Sequence, residues 1–201
     1  ASTMWNKDLS KVQVEGGTKD EKTIFYTGMY HLLIHPNILQ DVNGEYPMME
    51  SLKVGHTTGN RYTVFSLWDT YRNVSTLMTL LYPERQLDII RTMLDMYREN
   101  GWLPKWELYG RETFTMEGDP SIPYIVDAWM RGLRDFDEQT AYEAMRKGAT
   151  TPGEFNLLRP DANDYFSKGY VPLREQYDNS VSHALEYYIA DWNLANFAQA
   201  L

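Results

Sequence analysis

The chain has 201 residues, of which 43% are hydrophobic, and a formal net charge of −9. This length suffices for one domain with a well-buried core, and the acidic charge excludes the basic surface that nucleic-acid binding needs. No apolar run approaches the roughly 20 residues that span a bilayer, and the lack of cysteine excludes disulfides, thiolate metal sites and thiol catalysis.

Six segments carry apolar residues at helical spacing. Thr18 and Glu21 have the spacing of a capping box, and Pro36 and Pro83 stop the helices that precede them. The pattern predicts helices over residues 18–35, 61–81, 84–100, 121–133, 138–147 and 179–201. Because a short link joins the second and third helices, they should be antiparallel neighbours.

The segments between these helices contain Gly, Pro and Asn with little periodicity. Residues 37–60, 101–120 and 148–178 predict loops, the last with at most short pieces of structure. Loops of this length often carry function. No segment shows strand alternation bounded by hairpin turns, so the predicted fold class is all-α, built from helix pairs with long loops at one end.

The segment FSLWDTYRN places an acid, a base and aromatic rings on a helix that should be apolar. At helical spacing Asp69 lies one turn from Arg72, and Trp68 lies above Arg72. One interpretation is a salt bridge on a solvated stripe, with Trp68 in the core. The other is a polar cluster at a helix end facing a cleft, where a carboxylate and a guanidinium bind neighbouring hydroxyls beside an aromatic platform, as sugars require.

The segment WLPKWELYGRETFTMEGDP gathers acids and aromatic rings in a predicted loop. These residues are Trp102, Trp106, Glu107, Glu112, Glu117 and Asp119. Two carboxylates that flank a bond are the minimum for glycoside hydrolysis. From the residues alone, Glu107 could form an acid/base pair with Glu117 or Asp119, and the alternative is a set of solvated loop acids.

Two further patterns have the spacing of metal sites. His31 and His35 are one helical turn apart, which can chelate a metal, but no third ligand accompanies them, and we expect one ring in the core and the other hydrogen-bonded near the helix end. Asp41–Tyr46, DVNGEY, lacks the alternating acids and the distal Glu of a calcium loop. A turn at Asn43-Gly44 explains it better.

The last predicted helix contains a Ser, a His and an Asp in order. His183 and Asp191 lie eight residues apart along one helix, too far for one to orient the other, so Ser180, His183 and Asp191 do not form a local triad. Glu186 and Asp191 could face a cleft from this helix, although solvation on the helix surface is the default expectation.

Four segments, in order and at similar intervals, resemble motifs of glycoside hydrolase family 92, the calcium-dependent exo-acting alpha-mannosidases common in gut Bacteroidetes. They are HPNILQDVNGEY, FSLWDTYRN, LPKWELYGRETFTMEGDPSIP and SVSHALEYYIADW. The resemblance extends from about Trp5 to Leu201.

Members of that family have an N-terminal β-sandwich and then a catalytic domain of paired helices in an (α/α)6 toroid, and they invert the anomeric configuration with a carboxylic acid and a carboxylate base. The resemblance implies that residues 1–201 are a single domain, the N-terminal part of that toroid, without the β-sandwich and the rest of the catalytic domain. The general acid, general base and calcium ligands are then expected beyond Leu201. The chain alone should therefore hold no calcium and be inactive.

The same resemblance implies a role in substrate binding. Trp68 and Asp69 would bind the terminal mannose, with Asp69 accepting hydrogen bonds from its hydroxyls, and Arg72, Glu117 and Asp119 would shape the same wall. The expected partners are mannose-containing glycans with alpha-1,2 linkages and the remainder of the catalytic domain. Self-association through uncovered helix faces is a further expectation, and the resemblance implies a periplasmic or cell-surface location.

Two other functions stay open. One is a different helical-toroid glycosidase acting on glucosides, which the released sugar would distinguish from a mannosidase. The other is a helical module that binds carbohydrate or protein and catalyses nothing.

Overall fold

In the computed structural model the described residues are 1–173 and 179–201. They form two compact units, Ala1–Asn37 and Ile38–Leu201. The end of the predicted 148–178 loop, residues 174–178, lies outside the described residues. No helix in the described part of the chain is long and apolar enough to cross a membrane.

The first unit contains the helices α1, Ser2–Leu9, and α2, Lys19–Leu32. The predicted capping box is confirmed: the Thr18 hydroxyl accepts a hydrogen bond from the Glu21 amide at 3.2 Å, and the Glu21 carboxylate accepts one from the Thr18 amide at 2.6 Å. The α2 helix ends three residues before the predicted His35. The sequence pattern did not predict α1.

The second unit contains the other helices. They are α3 Leu67–Thr70, α4 Val74–Leu81, α5 Pro83–Asn100, α6 Ser121–Met130, α7 Glu138–Thr150, α8 Ala162–Lys168 and α9 Ser180–Ala200, with a 3₁₀ turn at Gly153–Phe155. Pro83 occupies the first turn of α5, and Gly101 ends that helix in the left-handed conformation with φ 86°. Five of the six predicted helices are thus found with small shifts at their ends.

The predicted helix over residues 61–81 is wrong in its first third. Tyr62–Thr63 is a short strand, β4, and the helical part is divided into α3 and α4 at Asn73. The backbone here bonds to other parts of the chain: the Tyr62 amide donates to the Thr92 hydroxyl at 3.2 Å, and Phe65 donates to the Glu107 carbonyl at 3.0 Å. These distant partners override the local helical pattern.

Short strands interrupt two of the predicted loops. They are β1 Asn37–Ile38, β2 Glu45–Pro47, β3 Val54–His56, β5 Glu107–Leu108 and β6 Arg111–Glu112. β2 pairs antiparallel with β3, with Tyr46 opposite Gly55, and β5 pairs antiparallel with β6, with Glu107 opposite Glu112. Each strand has two or three residues, and the chain remains mostly helical, as the all-α prediction requires.

The core of the second unit lies between α5, α6 and α9. α6 packs against α4 and α9, and its residues from Ser121 to Val126 are all buried. Phe197 on α9 is fully buried and meets the ring of Trp129 edge to face, with 5.0 Å between ring centroids. Burial of each such side chain stabilises the folded chain by roughly 1.5–3 kcal/mol. The core therefore fixes α9 relative to the loops that precede α6.

Candidate functional site

Trp68, Asp69 and Arg72 lie at α3 and the turn that follows it. The Ser66 hydroxyl donates a hydrogen bond to the carboxylate of Asp69, which is otherwise exposed. The guanidinium of Arg72 lies over the rings of Tyr71 and Trp68, at 4.8 and 5.3 Å from their centroids. Three side chains thus present a carboxylate, a cation and an aromatic face on one short stretch. We call them the α3 wall.

Arg72 pairs with Glu186 of α9 and not with Asp69, so the predicted i,i+3 salt bridge is wrong. The Arg72 guanidinium donates to one carboxylate oxygen of Glu186 at 2.5 Å, and the Tyr71 hydroxyl donates to the other at 2.8 Å. Glu186 is buried, so the default expectation that it is solvated is also wrong. Burial first, and then the hydrogen bond to Glu186, raises the pKa of Tyr71 above its ordinary value.

Glu117 lies on the loop before α6 and is bound by two side chains near the start of α9. His183 Nε2 is 2.8 Å from one oxygen of Glu117, and the Asn179 side-chain amide donates to the other. Gly118, with φ +71°, packs so closely on α9 that an added Cβ would lie 2.4 Å from the Cβ of Glu186. Neighbouring side chains of α9 therefore contact both Glu117 and Arg72, and α9 holds the loop before α6 near the α3 wall.

Asp119 is 2% exposed and belongs to a buried ionic cluster. Its carboxylate is 3.4 Å from the Arg159 guanidinium, which also pairs with Asp191 at 2.8 Å. The Tyr165 hydroxyl donates to the other oxygen of Asp191 at 2.8 Å. Burial raises the pKa of Asp119, against the opposing charges of Arg159 and Lys105. Asp119 thus lies behind the surface, where it supports the loop.

The pattern of the sequence did not single out Arg159 or Lys105. Both side chains are buried, and Lys105 donates a hydrogen bond of 3.4 Å to the Leu158 carbonyl. A basic residue in a loop is usually solvated, and the two acids that pair with Arg159, Asp119 and Asp191, come from segments distant in sequence. No local signal marks either residue as part of the cluster.

The other acids of this loop, Glu107 and Glu112, accept hydrogen bonds from backbone amides and so hold the loop in place. Glu107 is fully buried and accepts hydrogen bonds from the Thr63 hydroxyl at 2.9 Å and the Gly110 amide at 2.5 Å. Burial raises its pKa above the ordinary value despite these hydrogen bonds. Glu112 accepts from the Lys105 and Trp106 amides at 2.7 and 2.9 Å. An acid/base pair that includes Glu107 is therefore wrong for this structure.

The histidine pair lies at the surface, and the calcium-like loop forms a turn. His31 and His35 are both exposed, and α2 ends at Leu32, before His35, so neither ring is in the core. Gly44 has φ +86°, and the Asn43 side chain accepts from the Glu45 amide at 3.1 Å, which confirms the predicted turn. Across residues 1–173 and 179–201, no three His, Asp or Glu side chains converge as metal ligands.

The described residues of the second unit form an all-α domain of packed helices, in which an aromatic ring, a carboxylate and a cation lie beside one another at α3. The family model described as the glycosyl hydrolase family 92 catalytic domain matches residues 1–201, and the chain belongs to this family.

Two solved structures from Bacteroides thetaiotaomicron are similar to this chain. One, described as a family GH92 alpha-mannosidase, is 34% identical with a TM-score of 0.88 over 98% of this chain and 26% of its own. The other, described as a family GH92 inverting mannosidase, is 32% identical with a TM-score of 0.89 over 99% of this chain and 27% of its own. The fold prediction, helix pairs forming part of an (α/α)6 toroid, is confirmed.

A curated relative from the fungus Arthroderma benhamiae is described as an uncharacterized secreted glycosidase. It is 26% identical over 206 residues, which cover 96% of this chain and 22% of the relative. The chain thus spans about a quarter of the length of the proteins that it matches.

Proposed function

We propose that this chain is the N-terminal part of the catalytic domain of an exo-acting alpha-mannosidase, which releases terminal mannose with inversion from alpha-1,2-linked glycans. The observation that carries the proposal is the similarity of nearly the whole chain to two family 92 mannosidases, with TM-scores of 0.88 and 0.89. The chain contributes a wall of the sugar pocket, and residues outside it supply the catalytic acid and base.

The chemistry of the α3 wall supports sugar binding. The exposed carboxylate of Asp69 can accept hydrogen bonds from two neighbouring hydroxyls, and Trp68 offers an aromatic face beside it. The Arg72 side chain is 43% exposed, so its remaining N–H groups can donate to a sugar oxygen. Glu117 shapes the neighbouring part of the wall, and Asp119 holds the same loop from behind through Arg159.

Five acids at or near the proposed site are engaged in ways that leave catalysis to other residues. Inverting hydrolysis needs two carboxyl groups about 6.5–9.5 Å apart with a water between them. Glu107 and Glu112 bind backbone amides, Asp119 and Glu186 bind arginines, and Glu117 binds His183. Calcium prefers six to eight oxygen ligands, and among the described residues no three His, Asp or Glu side chains converge as such ligands. In this proposal, calcium in the whole enzyme is held by residues outside this chain.

The outer face of α9 supports the proposal that the remainder of the same catalytic domain packs against this chain. Five apolar side chains lie uncovered along this helix: Val181, Leu185, Tyr188, Ile189 and Trp192. Trp192 is 71% exposed. A continuous apolar stripe on a helix is usually covered by another element. In the chain alone it would drive self-association.

Export to the periplasm or the cell surface is part of the same proposal. Its support is the secreted glycosidase from Arthroderma benhamiae, which matches 96% of this chain.

The test is an incubation of the complete catalytic domain that contains residues 1–201 with an alpha-1,2-linked mannobiose, followed by proton NMR. The proposal predicts that mannose appears first as the beta anomer. Release of glucose from an alpha-glucoside, with no action on the mannoside, would support a different helical-toroid glycosidase. Binding without release of any sugar would support a non-catalytic module.

A further inference from the structure

Glu186 reaches from α9 to two consecutive residues of the turn after α3, more than a hundred positions earlier in the chain. Its two oxygens accept one hydrogen bond each, 2.5 Å from Arg72 and 2.8 Å from Tyr71. The carboxylate side chain is only 9% exposed. Both acceptor atoms therefore serve the protein, and Glu186 is not available to a ligand.

The position of Glu186 is itself fixed. Gly118 lies against its Cβ so closely that any larger residue would collide there, and the core side chains Tyr187 and Ala190 of α9 are fully buried. A rigid helix thus presents the carboxylate to a short, four-residue helix that has few backbone bonds of its own. α9 is the better fixed of the two helices, so it sets the position of the α3 wall.

Arg72 has two possible carboxylate partners. Asp69 is three residues away along the chain, and its charge acts on Arg72, although more weakly than that of Glu186. A guanidinium paired with Asp69 would occupy the oxygens that a sugar needs. The bond to Glu186 draws Arg72 away, and within the part of the chain that the structure describes it leaves Asp69 with only the Ser66 hydroxyl as a side-chain hydrogen-bond partner.

We propose that Glu186 is a positioning residue of the sugar site, which holds Arg72 and Tyr71 and thereby keeps Asp69 free to bind substrate hydroxyls. This inference rests on the proposed function of the α3 wall. Removal of the charge in Glu186→Gln weakens the hold on Arg72, because a hydrogen bond to a charged acceptor is about twice as strong as one to a neutral acceptor. Arg72 then turns to Asp69 and competes with the sugar.

The test compares three variants of the complete catalytic domain on an alpha-mannoside: Glu186→Gln, Arg72→Ala and the double variant. Glu186→Gln should raise KM at least tenfold with a smaller change in kcat. Because the released Arg72 is the competitor, the double variant should bind no worse than the worse single variant. The inference would be overturned if the losses of affinity in the two single variants added up in the double variant. It would also be overturned if Glu186→Gln had the same KM as the exposed control Glu143→Gln.

A second variant keeps the test decisive if Glu186→Gln does not fold. Tyr71→Phe removes one hydrogen bond to Glu186 and keeps the ring, and it should raise KM at least twofold. An unchanged KM would overturn the inference. If the unaltered domain neither binds nor cleaves mannosides, the proposed function has failed; if it does and these variants match the control, only the role of Glu186 has failed.

Discussion

His183 Nε2 lies 2.8 Å from a carboxylate oxygen of Glu117, while the other ring nitrogen, Nδ1, is buried and has no hydrogen-bond partner among the described residues. A proton on Nδ1 would be an unpaired buried donor, which is costly. Burial lowers the pKa of His183, against the opposing charge of Glu117. Burial therefore favours the neutral form of the ring, whose Nε2 faces Glu117.

This pair makes stability depend on pH. Because the pKa of His183 is lower in the folded chain than its unfolded value of about 6.5, its contribution to the unfolding free energy is present above that value and is lost as pH falls through the folded pKa. We expect the difference in unfolding free energy between the unaltered chain and His183→Gln, measured with urea, to shrink from pH 7 to pH 5. A difference that grows over this range would mean that His183 is a charged partner of Glu117.

Arg61 and Glu99 form a buried ion pair that fixes the start of β4 on α5. The guanidinium donates to both carboxylate oxygens at 3.0 and 2.9 Å, and the side chains are 1% and 5% exposed. Tyr46 also donates to Glu99 at 2.9 Å, and burial, together with this bond, raises the pKa of Tyr46 to about 12. Glu99→Ala leaves the Arg61 charge buried and unpaired, so we expect a loss of about 3–5 kcal/mol in chemical denaturation.

The control for this prediction is Glu143→Ala, which removes an exposed carboxylate on α7. A surface change of this kind alters stability by about 0.5 kcal/mol or less. Equal effects of the two substitutions would show that the buried pair contributes nothing.

The uncovered stripe on α9 predicts self-association of the chain alone. Replacing Leu185 and Trp192, which are 53% and 71% exposed, by Glu should lower the sedimentation coefficient to that of a monomer. Val42→Glu changes an exposed apolar residue outside the stripe and should have no such effect. A monodisperse monomer before any substitution would contradict the incomplete toroid.

Sequence patterns predicted elements whose signals are local. The capping box of Thr18, the Pro83 start and Gly101 end of α5, and the apolar period of α6 and α9 all act within a few residues. Residues 61–66 also fit a helical period, but their backbone bonds to Thr92 and Glu107 from other segments. No local pattern records such partners, so the absence of helix at residues 61–66 had no sequence signal.

The candidate site shows the same limit: local patterns identified its residues but not their distant partners. The segment FSLWDTYRN identified Trp68, Asp69 and Arg72 as an unusual group, but helical spacing assigned Arg72 to Asp69. The real partner, Glu186, is 114 residues away and looked like a solvated residue of a helix. Asp119 could be named as an acid near the site, yet its burial with Arg159 depends on the packing of the whole second unit.

The most direct test of the proposed sugar site is kcat/KM of the complete catalytic domain for an alpha-1,2-mannoside, with and without Asp69→Ala. Asp135→Ala, at a side chain that is 89% exposed, is the control. Because Asp69 would accept hydrogen bonds from substrate hydroxyls, the substitution should lower kcat/KM by about a hundredfold or more, equivalent to roughly 2.7 kcal/mol, at an unchanged unfolding midpoint. A loss below tenfold would contradict the proposed role of the α3 wall.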